Sequence, residues 1–368
     1  GGFTAVAAMA NTSPVNDSPE VTHYMLEQAA AVHAARLIPV SAVTRGLGGR
    51  EAVNFAAMAA AGAHLFSDDG IPIDDQALLA SAMEQIARLG FAISLHEEDR
   101  ALTANGAVNA GEVSKRLGVA GVPATAETER IRRDLALAIG AEAPVHIAHV
   151  STSLSLDLIR SARKRGAQIT CEATPHHFAL DDRAVLRWGP NAKMAPPLRS
   201  IHDVEAVVAA IADGTIDMIA TDHAPHDPHS KRMEELAGIF SPECDCGRLP
   251  EIGAEMLTQA TNGVTGLETA LGLVLELVHR GVIGPARMVE MMSLKGAQLL
   301  RMAGGTLQKG ARADITLIDP NMEWTVDPTK FISKSRNSPF ARRRLLGRAM
   351  LTIVAGDVVY DGRSGTRS

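Results

Sequence analysis

Short apolar runs alternate with amphipathic helical patterns through most of the chain, and that alternation restricts the fold more than any other feature. The runs are GFTAVAAM, LIPVSAV, AHLFSDD, FAISLHEE, VHIAHVS, QITCEAT and DMIATDH. Between them lie helical stretches such as PEVTHYMLEQAAAVHAAR, DDQALLASAMEQIARLG, TAETERIRRDLALAIGAE and SLSLDLIRSARKRG. The first of these enters at Pro19 after Ser18, a cap residue followed by proline at the first helical position. Strands joined through helices run parallel, so the pattern means a parallel sheet covered by helices. A closed (β/α)₈ barrel takes eight strands and seven are found. An open doubly wound sheet accepts seven, but it usually offers a Gly-rich phosphate turn after an early strand, and none is present.

The expected fold is therefore α/β: a (β/α)₈ TIM barrel, its first strand missing from this chain, over residues 1–303. From Gly304 the pattern changes to ARADITLIDP and LGRAMLTIVAGDVVYDG, period-two strands with a Gly-Asp turn, which read as a small β-sandwich-like second domain over 304–368. Residues 224 to about 262 form a long Gly-, Pro- and charge-containing stretch of the kind that builds lids. A length of 368 residues, 46% of them hydrophobic, is enough for a large core.

The formal charge of −6 is spread in both signs along the chain, which leaves no electrostatic footprint for nucleic acid or anionic lipid, and no apolar run approaches the roughly 20 residues that span a bilayer. The start, GGFTAVAAMA, carries no basic n-region and no initiating Met, which reads against a signal peptide and points to a natural beginning upstream. Three cysteines, Cys171, Cys244 and Cys246, are too few for a disulfide framework and suit a reducing, cytoplasmic setting. Cys244 and Cys246 form a Cys-x-Cys without a partner pair, a weak metal signal.

The chemistry-bearing residues fall where the strands run out. FSDDG ends on Asp68 and Asp69, ISLHEED on His96, HIAHVST on His149, CEATPHH on His176 and His177, and IATDHAPH on Asp222, His223 and His226. In a barrel of this class the active site is built at the carboxyl ends of the strands. Singly, a strand-end His is most often a hydrogen-bonded structural residue and an Asp a helix cap. Several on successive strand ends are harder to explain that way. Imidazole and carboxylate donors from separate strands suit a divalent ion such as zinc or manganese, with a bridged pair of ions as the fuller version. His176 and His177 are read as buried histidines donating to backbone. Spacing does not separate Asp68 from Asp69.

With those residues in place, the chain resembles the cyclic amidohydrolases, and within them the bacterial type I dihydroorotases. The resemblance runs through NTSPVND, FSDDG, HEED, HIAHVST, EATPHHF, KMAPPLRS, ATDHAPH, GLETAL and SKSRNSPF, essentially the whole chain. It implies interconversion of N-carbamoyl-L-aspartate and L-dihydroorotate in pyrimidine synthesis on a metal-bearing barrel. Carried over by motif, the metal ligands are Asp69, His96, His149 and Asp222, with Asp222 also the general base, and Asn11 and His226 hold the substrate carboxylate. One or two divalent ions are implied, Zn²⁺ first. Related hydantoinases, dihydropyrimidinases and allantoinases place a carboxylated lysine where Asp69 stands, so the aspartate favours the dihydroorotase branch. The family's first-strand His-x-His followed by Arg is absent, and Ala10 and Ala195 replace the usual Pro and Asn. A fragment of an ordinary enzyme is the expectation; the alternatives are a non-catalytic scaffold partner of aspartate carbamoyltransferase and another cyclic amidohydrolase of the hydantoinase, dihydropyrimidinase or allantoinase kind. A homo-oligomer is also expected.

Overall fold

The computed structural model describes residues 1–103, 106–232 and 253–362. Its strands, in chain order, are β1 (Ala5–Ala8), β2 (Arg36–Ser41), β3 (Leu65–Phe66), β4 (Ile93–Leu95), β5 (Val108–Asn109), β6 (Gly121–Val122), β7 (Val145–Ile147), β8 (Ile169–Ala173), β9 (Met218–Ile219), β10 (Ile315–Thr325), β11 (Arg344–Val354) and β12 (Asp357–Asp361). All seven expected strands join one parallel sheet in the order β1-β2-β3-β4-β7-β8-β9. Among the described residues no strand closes the gap between β1 and β9, the place an eighth barrel strand would take.

Helices cover the sheet because their apolar residues recur at helical spacing. In Gln76–Arg88 the buried set is Leu79, Ala82, Met83 and Ile86, one stripe at i, i+3, i+4 and i+7. Its start is fixed by Asp75, whose carboxylate accepts from the amides of Ala77 and Leu78. Met83 and Ile86, 0% and 1% exposed, each contribute about 1.5–3 kcal/mol by leaving water. Ser153–Lys164 repeats the device with Leu156, Ile159 and Ala162 inside and Thr152 as its cap. The helix Pro19–Val32 starts where proline and serine place it, but Ser18 makes no capping bond to the backbone; the fixed proline φ sets this start.

Three features depart from the sequence reading. The pair β5 and β6 is an added two-stranded parallel ribbon of two-residue strands, too short to show periodicity. The stretch expected as a loop from 224 to 262 includes the helix Ala254–Gln259, and Cys244 and Cys246 lie outside the described residues. In the hairpin between β11 and β12 the two-residue turn is Ala355–Gly356, both at positive φ (54° and 96°), so Asp357 already belongs to the strand rather than to the turn.

The small antiparallel sheet β10-β11-β12 lies against the helix Ala270–His279, whose Gly272 faces Leu345 so closely that a Cβ would come within 3.0 Å of it. Cys171 is buried in β8, and burial pushes its thiol up to about 12, so it behaves as a small core residue. No helix among the described residues is long and apolar enough to cross a membrane.

Candidate metal centre

Asp69, His96 and His149 follow β3, β4 and β7, adjacent strands of the sheet, and their ligand atoms lie within 4.8 Å of one another. His96 Nδ1 faces His149 Nε2 at 2.9 Å, and Asp69 Oδ1 is 3.8 Å from His96 Nδ1. The structure also separates the two aspartates that spacing leaves open. Asp68 turns inward and accepts from the amides of Val43 and Thr44 and from the Thr44 hydroxyl, stitching β3 to the loop after β2. Asp69 is left to face the histidines, with Asn11 Nδ2 donating to its Oδ2 at 3.1 Å.

A carboxylate stands behind each histidine, bonded to the ring of His96 and to the backbone of His149. His96 Nε2 meets Glu98 Oε2 at 3.1 Å, which leaves Nδ1 as the nitrogen presented to the cluster. Behind His149, Glu172 on β8 accepts the His149 amide at 3.4 Å with one oxygen and bonds His146 Nε2 at 3.0 Å with the other. His149 sits at φ 34° and Asp222 at φ 44°, in the left-handed region that residues with side chains seldom adopt and that clusters at functional sites.

Asp222 stands outside the group of three, at the end of β9. It is close enough to Asp69 and His96 to feel both charges: burial and then Asp69 push its carboxyl up to about 7, with His96 pulling the other way. Burial alone would lower His96, but the Glu98 bond and the Asp69 charge outweigh it and leave it raised. Burial and then the neighbouring His96 push His149 down to about 4. Glu98 ends below the usual carboxylate range because its bond to His96 overcomes the burial that would raise it.

The donor set fits a divalent ion. It comprises one carboxylate and two imidazoles from three strand ends, with His149 Nδ1 buried and without a hydrogen-bond partner. A divalent charge at this point would hold both imidazoles neutral and Asp222 ionised.

The remaining expected residues divide. His177 is the structural histidine it was read as: Nδ1 meets Thr174 Oγ1 at 2.8 Å and Nε2 meets the Pro196 carbonyl at 3.0 Å. His176 is not. Its buried Nε2 has no hydrogen-bond partner and points at Asp222 Oδ2 from 3.9 Å, because the helix Pro175–Ala179 turns neighbouring side chains in different directions. His223 Nδ1 accepts from the amide of Gly266 at 3.1 Å and so serves the backbone. His226, half-buried four residues beyond Asp222, packs against Gly263 with its ring bonded to the backbone of Asn262. Ala195 is half-buried.

Sequence reasoning assigned no role to Glu98 or Glu172. A carboxylate two residues after a ligand histidine was the available signal for Glu98. Glu172 carries none, since its partners lie across the sheet on β7.

A family model described as "Dihydro-orotase-like" matches residues 1–155. The dihydroorotase of Citrifermentans bemidjiense is 43% identical over 360 residues, covering 98% of this chain and 80% of that protein. The dihydroorotase of Pelotomaculum thermopropionicum is 44% identical over 364 residues, covering 99% and 80%. Among solved structures, the L-hydantoinase (dihydropyrimidinase) from Arthrobacter aurescens superposes with a TM-score of 0.82 at 26% identity, covering 98% of this chain and 78% of that one. A dihydropyrimidinase from Brevibacillus agri, at 22% identity and a TM-score of 0.77 over 99% and 78%, shares the fold. With relatives of this identity over nearly its whole length, the chain belongs to the dihydroorotase family.

Proposed function

We propose that the chain catalyses the reversible, metal-dependent ring closure of N-carbamoyl-L-aspartate to L-dihydroorotate. The observation that carries this reading is the convergence of Asp69, His96 and His149 at one rim of the sheet, with the half-buried Asp222 beside them. In this reading these four residues hold one or two divalent ions, zinc being our choice. When bound, the metal supplies Lewis acidity toward the amide carbonyl and the attacking water.

Asp222 is the general base. In ring opening its carboxylate takes a proton from the attacking water as the new C–O bond forms, then delivers it to the ring nitrogen as the C–N bond breaks. Ring closure reverses both transfers. Asn11, already bonded to Asp69, and His226, on the same loop as Asp222, orient the substrate carboxylate. Glu98 and Glu172 act through the histidines they brace.

The reading further takes residues 1–303 as the barrel unit and 304–368 as part of a small β domain. It places the protein in the cytoplasm, with self-association and aspartate carbamoyltransferase as candidate contacts.

The test is turnover by the full natural chain loaded with metal, offered carbamoyl aspartate, dihydroorotate and hydantoin in parallel. Interconversion of the first two supports the assignment. Turnover of hydantoin alone, the ring named for the solved relatives, would replace it.

A further inference from the structure

The SKSRNSPF stretch has no part in the metal cluster, yet its residues reach the loop that carries Asp222 and His226. Asn337 is 3% exposed, and both polar groups of its side chain are bonded. Its Oδ1 accepts from the His226 amide at 3.3 Å, across 111 residues of sequence. Its Nδ2 donates to the Ala224 carbonyl at 3.0 Å and to the Gly263 carbonyl at 3.1 Å. Its own carbonyl accepts from the amide and hydroxyl of Thr265 at 2.9 and 3.2 Å. Ser335, 7% exposed, donates to the His226 carbonyl, so both backbone polar groups of His226 are held from this one segment.

Gly263 makes the arrangement specific to the imidazole. At φ 112° it leaves room that a Cβ would close, coming within 2.5 Å of the Ala224 Cβ and 3.3 Å of His226 Nε2. Asn337 therefore ties together the backbone that carries His226 and the glycine on which its ring rests. Structural asparagines commonly cap one turn; this one joins residues 224, 226, 263 and 265 around a single side chain that the reaction needs.

We propose that Asn337, assisted by Ser335, is a positioning residue that sets the His226 imidazole for the substrate carboxylate. The inference rests on the reading of His226 as the residue that holds that carboxylate. A buried amide that merely supported the fold would lower stability and leave the kinetic constants of the folded enzyme unchanged. A positioning residue for a binding group raises KM with little change in kcat, and only while the group it positions is present.

The experiment is a double-mutant cycle on the full metal-loaded enzyme with L-dihydroorotate as substrate. Asn337→Ala is expected to raise KM about tenfold with kcat within about twofold, and to add less than about twofold to KM when His226 is already alanine. Ser335→Ala, which removes only the bond to the His226 carbonyl, is expected to raise KM by about two- to threefold, and it carries the test if Asn337→Ala does not fold. An equal KM effect in both backgrounds, a fall in kcat at constant KM, or no kinetic change would overturn the proposal. If His226→Ala itself leaves KM unaltered, the carboxylate reading falls and this proposal with it. If His226→Ala raises KM but neither Asn337→Ala nor Ser335→Ala does, only this proposal falls.

Discussion

At the ends of β4 and β7 the functional histidines are braced by the sheet and the residues just beyond it: Glu98, two residues after His96, holds its ring, and Glu172 on the neighbouring strand holds the His149 amide. At the end of β9 the bracing comes from outside it. The loop from Asp222 to His226 is tied by Ser333, Ser335 and Asn337, about 110 positions further along the chain. The first region is assembled by the strand pairing that builds the fold, whereas the second depends on the chain's later segment returning to the rim. In the first a carboxylate steadies the His96 imidazole and another the His149 backbone, whereas in the second neutral amide and hydroxyl groups bond backbone without adding charge beside Asp222.

Breaking the β9 side at its reactive group has the largest expected effect. Asp222→Asn should lower turnover by about 10²- to 10⁴-fold, the range for loss of a general base, while the unfolding curve of the purified variant stays close to that of the parent. A variant with near-parental rate would remove Asp222 from the chemistry.

The β4 side is tested one layer back. Glu98→Gln should weaken metal binding by about 10- to 100-fold, read by competition with a chromogenic chelator, because the amide no longer orients and charges His96 in the same way. Unchanged affinity would mean that His96 needs no brace and that the contrast between the two regions is overdrawn.

The smallest effect concerns stability and the structural histidine. Burial holds His177 down to about 3, so the folded protein binds fewer protons there than the unfolded chain, whose ordinary value is 6.5. Its contribution is complete above pH 6.5 and is lost as pH falls toward 3, at about 1.4 kcal/mol per pH unit. His177→Asn should flatten the pH dependence of urea unfolding between pH 6.5 and 4 by up to that slope, and an unchanged slope would count against the neutral, doubly bonded ring.

How much of this was legible follows the same division. The strands are short and apolar and alternate with helical patterns, and five of the seven are followed within three residues by Asp or His, so all seven strands of the sheet, and the cluster Asp69, His96 and His149, can be read from local pattern. The choice between Asp68 and Asp69 cannot, because it is settled by a bond network to residues 43 and 44. Reading His176 and His177 as alike fails for a similar reason: adjacent helical residues point apart, His177 to Pro196 and His176 toward Asp222. Asn337 was legible only as part of a motif, since its contacts span more than a hundred residues and leave no periodic trace.

Metal content per chain, measured by plasma mass spectrometry on the parent and on His96→Ala/His149→Ala after identical exposure to zinc and removal of excess, tests the central claim most directly. Bound zinc in the parent and its loss from a variant that still folds is the predicted result. Equal zinc in both would show that these strand ends do not form the metal site.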